Sequence, residues 1–275
     1  MGIEPKFHVV EREGPVVIWK FNNPPQNLMT LPTLAEFTEL VEEFEADPDL
    51  RVGIYTSNLD HVFIQHFDVG TILSAWSSMT PEEMAAQREA AAKNPPPPRG
   101  LGRLRRKPII AAINGQTAGG GCEQTLICEF RFMSRKATLG CPEVNAGILP
   151  GGGGTQRMTR LLGIGTAMEM LLLGKVVDAD EAQRIGLVHR ACDHENLMPE
   201  AMQFAQELAM RPPMAIGHIM QCIYEGGQMP LRDGLALEGK LFFELTQSED
   251  AKRIMSEYVA GGQKVNPDLA PGSDG

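Results

Sequence analysis

An α/β core followed by a helical C-terminal part is the fold class that the sequence predicts, on three observations. A pair of short apolar runs joined by a turn opens the chain. A strand, helix, strand succession follows it. From Ala179 onward the apolar spacing turns helical. With 275 residues, 43% of them hydrophobic, the chain buries a full core as one large or two modest domains. The expected organisation is a core over residues 1–195 that carries the site, a helical region over 196–260 and a flexible tail over 261–275.

The first elements read in order. Phe7 to Val10 and Val16 to Phe21, joined through Glu13-Gly14, form a β-hairpin. Pro32 in a first turn after Thr30 opens a helix whose apolar positions Leu34, Phe37, Leu40, Val41 and Phe44 share one face. Arg51 to Thr56 is a buried strand, so the helix bridges two strands as a right-handed crossover. Asp68 is placed to cap a helix from Val69 to Trp76. The run Pro95-Pro96-Pro97-Pro98 is not helical and reads as a rigid spacer. Pro108 to Ile113 reads as another buried strand, followed after a glycine run by a short helix from Cys122 to Cys128. Later helices span Ala179–Ile185, Glu195–Met210, Pro213–Glu225, Leu231–Leu245 and Glu249–Val259, the last capped by Ser248. The tail from Gly261 to Gly275, rich in Gly, Pro and Asp, reads as frayed.

Composition excludes several classes of function. A formal charge of −10 argues against non-specific binding to nucleic acid or to an anionic membrane surface. No apolar run approaches the roughly 20 residues that span a bilayer, and the N-terminus lacks a signal-like apolar segment. Cys122, Cys128, Cys141, Cys192 and Cys222 show no C-x-x-C spacing, so free thiols in a reducing cytoplasm are expected and no metal is implied. His61 and His66 lack the H-E-x-x-H spacing of a zinc pair, and His189, His194 and His218 read as structural. No G-x-S-x-G nucleophile elbow is present, and neither glycine run has the spacing of a nucleotide loop.

Two glutamates carry the functional signal. Glu123 closes the run Gly119-Gly120-Gly121-Cys122-Glu123, and Glu143 stands in Cys141-Pro142-Glu143, shortly before Gly151-Gly152-Gly153-Gly154. Glycines at a strand-to-helix turn let backbone N–H groups approach a ligand oxygen, where the helix dipole favours negative charge. The segment Lys107 to Glu123, with Pro142-Glu143 and Gly147-Ile148-Leu149-Pro150-Gly151-Gly152-Gly153-Gly154-Thr155-Gln156-Arg157, resembles the crotonase (enoyl-CoA hydratase/isomerase) superfamily. The similarity covers about residues 7 to 260 and is closest in motif to the enoyl-CoA hydratases.

That resemblance implies a crotonase-like spiral of ββα units with a C-terminal helical trimerisation region. It also implies hydration or dehydration of an α,β-unsaturated acyl-CoA thioester by a lyase, with coenzyme A as part of the substrate and no separate cofactor. Enolate stabilisation falls to the backbone N–H groups of Gln65 and Gly120, because Phe63-Ile64-Gln65-His66-Phe67-Asp68 stands where the family reads Phe-x-Ala-Gly-x-Asp. Glu123 activates water and Glu143 handles the proton at the α-carbon, with the direction in which each acts left open. His66, Phe67, Asp68, Gly119 and Gly151 are expected to bind substrate. Arg99, Arg103, Arg105, Arg106 and Lys107 form a basic cluster that is either a solvated face or a phosphate contact. A homotrimer or a dimer of trimers is the implied assembly. Two alternatives stand beside this reading. One is a crotonase-like hydrolase or carbon–carbon bond-cleaving enzyme, suggested by the altered Gln65-His66-Phe67 segment. The other is a non-catalytic binding protein of the same fold.

Overall fold

The computed structural model describes residues 4–93 and 105–261. The proline run, Arg99, Arg103 and the tail after Gly261 lie outside the described residues. By internal packing the chain divides into two units, Met1–Arg103 with Lys107–Met210, and Leu104–Arg106 with Arg211–Gly275.

The first unit opens with strands β1 (His8–Glu13) and β2 (Val16–Phe21), paired antiparallel as the hairpin expected. Helix α1 (Leu31–Ala46) starts at Thr30, whose hydroxyl accepts from Thr33 N–H at 3.4 Å while the Thr33 hydroxyl accepts from Thr30 N–H at 2.9 Å. Phe37, Leu40, Val41 and Phe44 bury its inner face, each contributing about 1.5–3 kcal/mol by leaving water. The rings of Trp19, Phe37, Phe44, Tyr55 and Phe63 pack edge-on or stacked around that face. Strand β3 (Val52–Ser57) lies parallel to β2, which completes the crossover.

A repeat then sets in. β3 is followed by β4 (Val62–Ile64) and helices α2 (Val69–Ser77) and α3 (Pro81–Lys93). Next come β5 (Ile109–Ile113), β6 (Gln116–Ala118) and α4 (Gly120–Thr125), then β7 (Phe130–Ser134), β8 (Leu139–Gly140), α5 (Gly154–Leu162) and α6 (Ile164–Leu172). Each turn lays its first strand into a sheet that runs β1-β2-β3-β5-β7 and its second into a smaller sheet beginning β4-β6-β8. This is a spiral of ββα units. It is closed by β9 (Val176–Val177) beside β8, α7 (Ala179–Arg184), β10 (Arg190–Cys192) beside β7, and α8 (Leu197–Ala209).

Strand β5 shows how the core is divided. Ile109, Ala111 and Ile113 face the cluster under α1, whereas Ile110 and Ala112 face a second cluster with Leu197, Ala201 and Ala205 of α8. Both faces are covered, so the strand reads as an unbroken apolar run. Because α8 seals the second face, the first unit extends to Met210, beyond the residue-195 boundary read from the sequence.

The second unit contains α9 (Pro213–Tyr224), α10 (Leu231–Gln247) and α11 (Glu249–Val259). The Ser248 hydroxyl accepts from Ala251 N–H at 3.2 Å and starts α11 where the sequence placed it. Ile219, Ile223, Phe242, Phe243, Tyr258 and Val259 of this unit are exposed.

Candidate active site

The site is assembled by three segments that leave the C-terminal ends of strands. The first is the β4–α2 connection, residues 65–68, which is held against residues 27–29 by backbone hydrogen bonds. Gln65 N–H donates to Asn27 O at 3.2 Å, Met29 N–H to His66 O at 2.9 Å and Asp68 N–H to Met29 O at 2.8 Å. Gln65 N–H is therefore engaged inside the protein, which corrects its expected place as an enolate donor. Phe67 N–H lies between these bonds and has no acceptor among the described residues.

The second segment is the glycine turn into α4. Gly119 sits at φ 55°, a left-handed conformation that suits glycine, and Gly120 begins the helix with an N–H that has no intrahelical partner. A β-carbon on Gly120 would lie 2.6 Å from Met29 Cε, 3.0 Å from Phe67 Cβ and 3.5 Å from Phe67 N. Glycine leaves room for this approach, which sets Gly120 against the backbone of Phe67. The helix begins two residues earlier than its apolar run suggested.

Glu123 is one turn into α4 and 5% exposed. Its Oε1 accepts from Gly152 N–H at 2.8 Å and from Gly154 N–H at 2.7 Å, two charge-assisted bonds of the kind that suits a carboxylate anion. These two glycines were missed in the sequence. The four-glycine run was their signal, but Gly151, singled out there, is exposed and makes neither bond.

Glu143 arrives on the third segment, a 3-10 turn over Glu143–Ala146 after β8. Its Oε2 is buried and has no hydrogen-bond partner among the described residues. Burial foremost, with the negative charge of Glu123 adding to it, raises the Glu143 carboxyl to about 7. Gly119 separates this carboxylate from His66: a β-carbon on Gly119 would be 3.1 Å from Glu143 Oε1 and 3.7 Å from His66 Cβ.

The other expected site residues divide. His66 Nδ1–H donates to Phe67 O at 2.8 Å. Asn27, at 52°, is the non-glycine residue with positive φ among the described residues, so the exchange of glycine for His66 strains no backbone. Asp68 is corrected from substrate binding to helix capping, because its carboxylate accepts from Gly70 N–H, Thr71 N–H and the Thr71 hydroxyl at 3.1, 3.1 and 2.5 Å. Lys107 leaves the basic cluster for the end of α1, where Nζ donates to Phe44 O at 2.7 Å and Asp47 O at 2.6 Å. His189 accepts from Arg131 N–H at 3.1 Å and is lowered to about 4, chiefly by burial. All five cysteines are free thiols, four of them buried.

The profile of the enoyl-CoA hydratase/isomerase family matches residues 11–265. A short-chain-enoyl-CoA hydratase of Clostridium acetobutylicum is 34% identical over 91% of this chain and 94% of its own length. A crotonyl-CoA hydratase of Syntrophomonas wolfei is 32% identical over 91% of this chain and 94% of its own. The crystal structure of an enoyl-CoA hydratase subunit I from Geobacillus kaustophilus superposes with a TM-score of 0.81 at 32% identity, covering 94% of this chain and 96% of that one. With the ββα spiral and a matching profile along nearly its whole length, the chain belongs to the enoyl-CoA hydratase/isomerase family.

Proposed function

We propose that this protein is an enoyl-CoA hydratase, a lyase that adds water reversibly across the double bond of a 2-enoyl-CoA thioester. The observation that carries the reading is the pair of glutamates in opposite environments near two amides, Phe67 N–H and Gly120 N–H, that have no acceptor among the described residues. The thioester oxygen lies between those amides and takes up negative charge as water attacks, which a pair of fixed donors stabilises. Glu123, held by Gly152 and Gly154, accepts a proton from the attacking water at the β-carbon. Glu143, protonated near neutral pH, gives its proton to the α-carbon. Proton exchange between the two acids resets the site. A coupled acid and base of this kind has no use in a binding module, and the unstrained 65–68 segment removes the reason to prefer a hydrolase or carbon–carbon cleavage.

Coenzyme A enters this reading as the carrier of the acyl group, with no separate cofactor, and the chemistry fits fatty-acid metabolism. Free thiols suit a reducing compartment such as the cytoplasm. No helix among the described residues is long and apolar enough to cross a membrane. The exposed apolar side chains of α9 to α11 suit burial against other copies of the chain, as in a trimer or a pair of trimers. Sedimentation at micromolar concentration tests the assembly, and a stable monomer rejects it. The activity is tested by following the loss of conjugated-thioester absorbance with a short 2-enoyl-CoA. Failure to hydrate any straight-chain enoyl-CoA at enzyme-like rates rejects the reading.

A further inference from the structure

Asn27 is fully buried, and its φ of 52° is one that asparagine tolerates better than other side chains. Its side-chain amide spends both hydrogens on short bonds, to Ser57 Oγ at 2.8 Å and to Phe63 O at 2.8 Å. Its Oδ1 accepts from Asn23 N–H at 2.7 Å, and its main-chain carbonyl accepts from Gln65 N–H at 3.2 Å. One residue thus ties the end of β3 and the strand β4 to the segment that carries Phe67. Two residues further on, Met29 continues the same register by bonding His66 O and Asp68 N–H. That register decides which amide is consumed and which is left beside Gly120: Gln65 N–H is consumed, and Phe67 N–H is left without an acceptor among the described residues.

We infer that Asn27 is a positioning residue for the enolate-binding amide of Phe67, acting through the 27–29 to 65–68 register and touching no substrate itself. The inference rests on the hydratase reading for its kinetic consequence, although the placement of the donor is a property of the site in any case. Asparagine meets three demands together. Glycine would keep the left-handed backbone but lose the clamp. Aspartate would keep the shape but turn acceptors toward the Phe63 carbonyl. Alanine would strain the backbone and lose the clamp as well.

The test compares the full-length parent with Asn27→Gly, Asn27→Asp and the milder Ser57→Ala, which removes one partner of the clamp. Two readouts are used. One is the split of kcat and KM for a short 2-enoyl-CoA. The other is the red shift of a bound β-aryl-acryloyl-CoA, whose absorbance moves when donors polarise the thioester carbonyl. The expected result for Asn27→Gly and Asn27→Asp is a fall in kcat of about tenfold or more with KM within about threefold, and a smaller red shift of the bound ligand. Ser57→Ala is expected to move both readouts in the same direction by less. Parent-like kcat and red shift in a folded Asn27→Gly overturn the inference. So does a loss of activity that only tracks a smaller folded fraction while the red shift per bound ligand stays that of the parent. If an Asn27 variant fails to fold, Ser57→Ala decides alone, and an unchanged kcat and red shift there overturn it. A parent that fails to hydrate enoyl-CoA rejects the hydratase reading, while the red shift across the series still decides the placement of the donor.

Discussion

Glu123 and Glu143 are the same side chain on neighbouring glycine-rich segments, and the protein treats them oppositely. Around Glu123 it supplies donors: two backbone N–H groups converge on one oxygen. Around Glu143 burial dominates: Oε2 has no partner among the described residues, and the carboxyl is raised to about 7 although the Glu143 N–H donates to it. Donors favour an anion, and burial favours a retained proton. In the proposed mechanism an acid and a base are thereby made from identical residues by their surroundings. The negative charge of Glu123 also adds to the rise at Glu143.

The largest expected effect comes from removing either member of the pair. Glu143→Gln and Glu123→Gln should each lower kcat for a 2-enoyl-CoA by about 10² or more, with the melting temperature near that of the parent. Steady-state kinetics beside thermal denaturation checks this, and full activity in one variant would break the comparison by taking that acid out of the chemistry.

The next effect is on pH. The proposed mechanism has hydration need Glu143 protonated, so kcat/KM in that direction should fall about tenfold per unit once the pH passes well above 7. The same shift bears on stability. The folded carboxyl holds its proton above its unfolded value of 4.5, so its contribution is fully present below that pH and is lost as pH rises through about 7. Solvent screening of this half-buried group reduces that contribution to about 1–2 kcal/mol. Denaturant melts of the parent and Glu143→Gln between these pH values should differ in slope, the variant being flatter. Equal slopes would mean that burial does not hold the proton there.

Gly152→Ala tests the other environment. The added β-carbon would lie 2.7 Å from Glu123 Oε2 and 3.0 Å from its Cδ, so the carboxylate must move. We expect about a tenfold loss in kcat from misplacement, with intact folding by circular dichroism. Parent-like turnover would show that the position of Glu123 is uncritical.

The smallest effect sharpens the comparison from outside the pair. Gln65→Ala should leave kcat/KM within about threefold of the parent, because the main-chain bond to Asn27 survives the change. A loss of tenfold or more would bring the Gln65 side chain into the site and give the acids a third polar partner.

Much of this protein is local in origin and was therefore readable from the chain. Thr30 with Pro32 starts α1, Ser248 starts α11, Asp68 caps α2, and the alternating or continuous apolar runs mark β1, β2, β3 and β5, because caps and periodicity act within a few residues. The glycine runs likewise marked both acids. What the chain alone left undecided depends on which distant segments meet. Gln65 and Phe67 are equivalent as backbone donors until residues 27–29 pair with one and pass over the other. Gly151, Gly152 and Gly154 are indistinguishable in a run of four until Glu123 is placed among them. The end of the core was read at residue 195 because α8 is a helix among helices, and only its packing on the far face of β5 assigns it to the first unit. The proton on Glu143 is of the same kind, for burial and a neighbouring charge come from the folded surroundings, and no residue type or spacing encodes either one by itself.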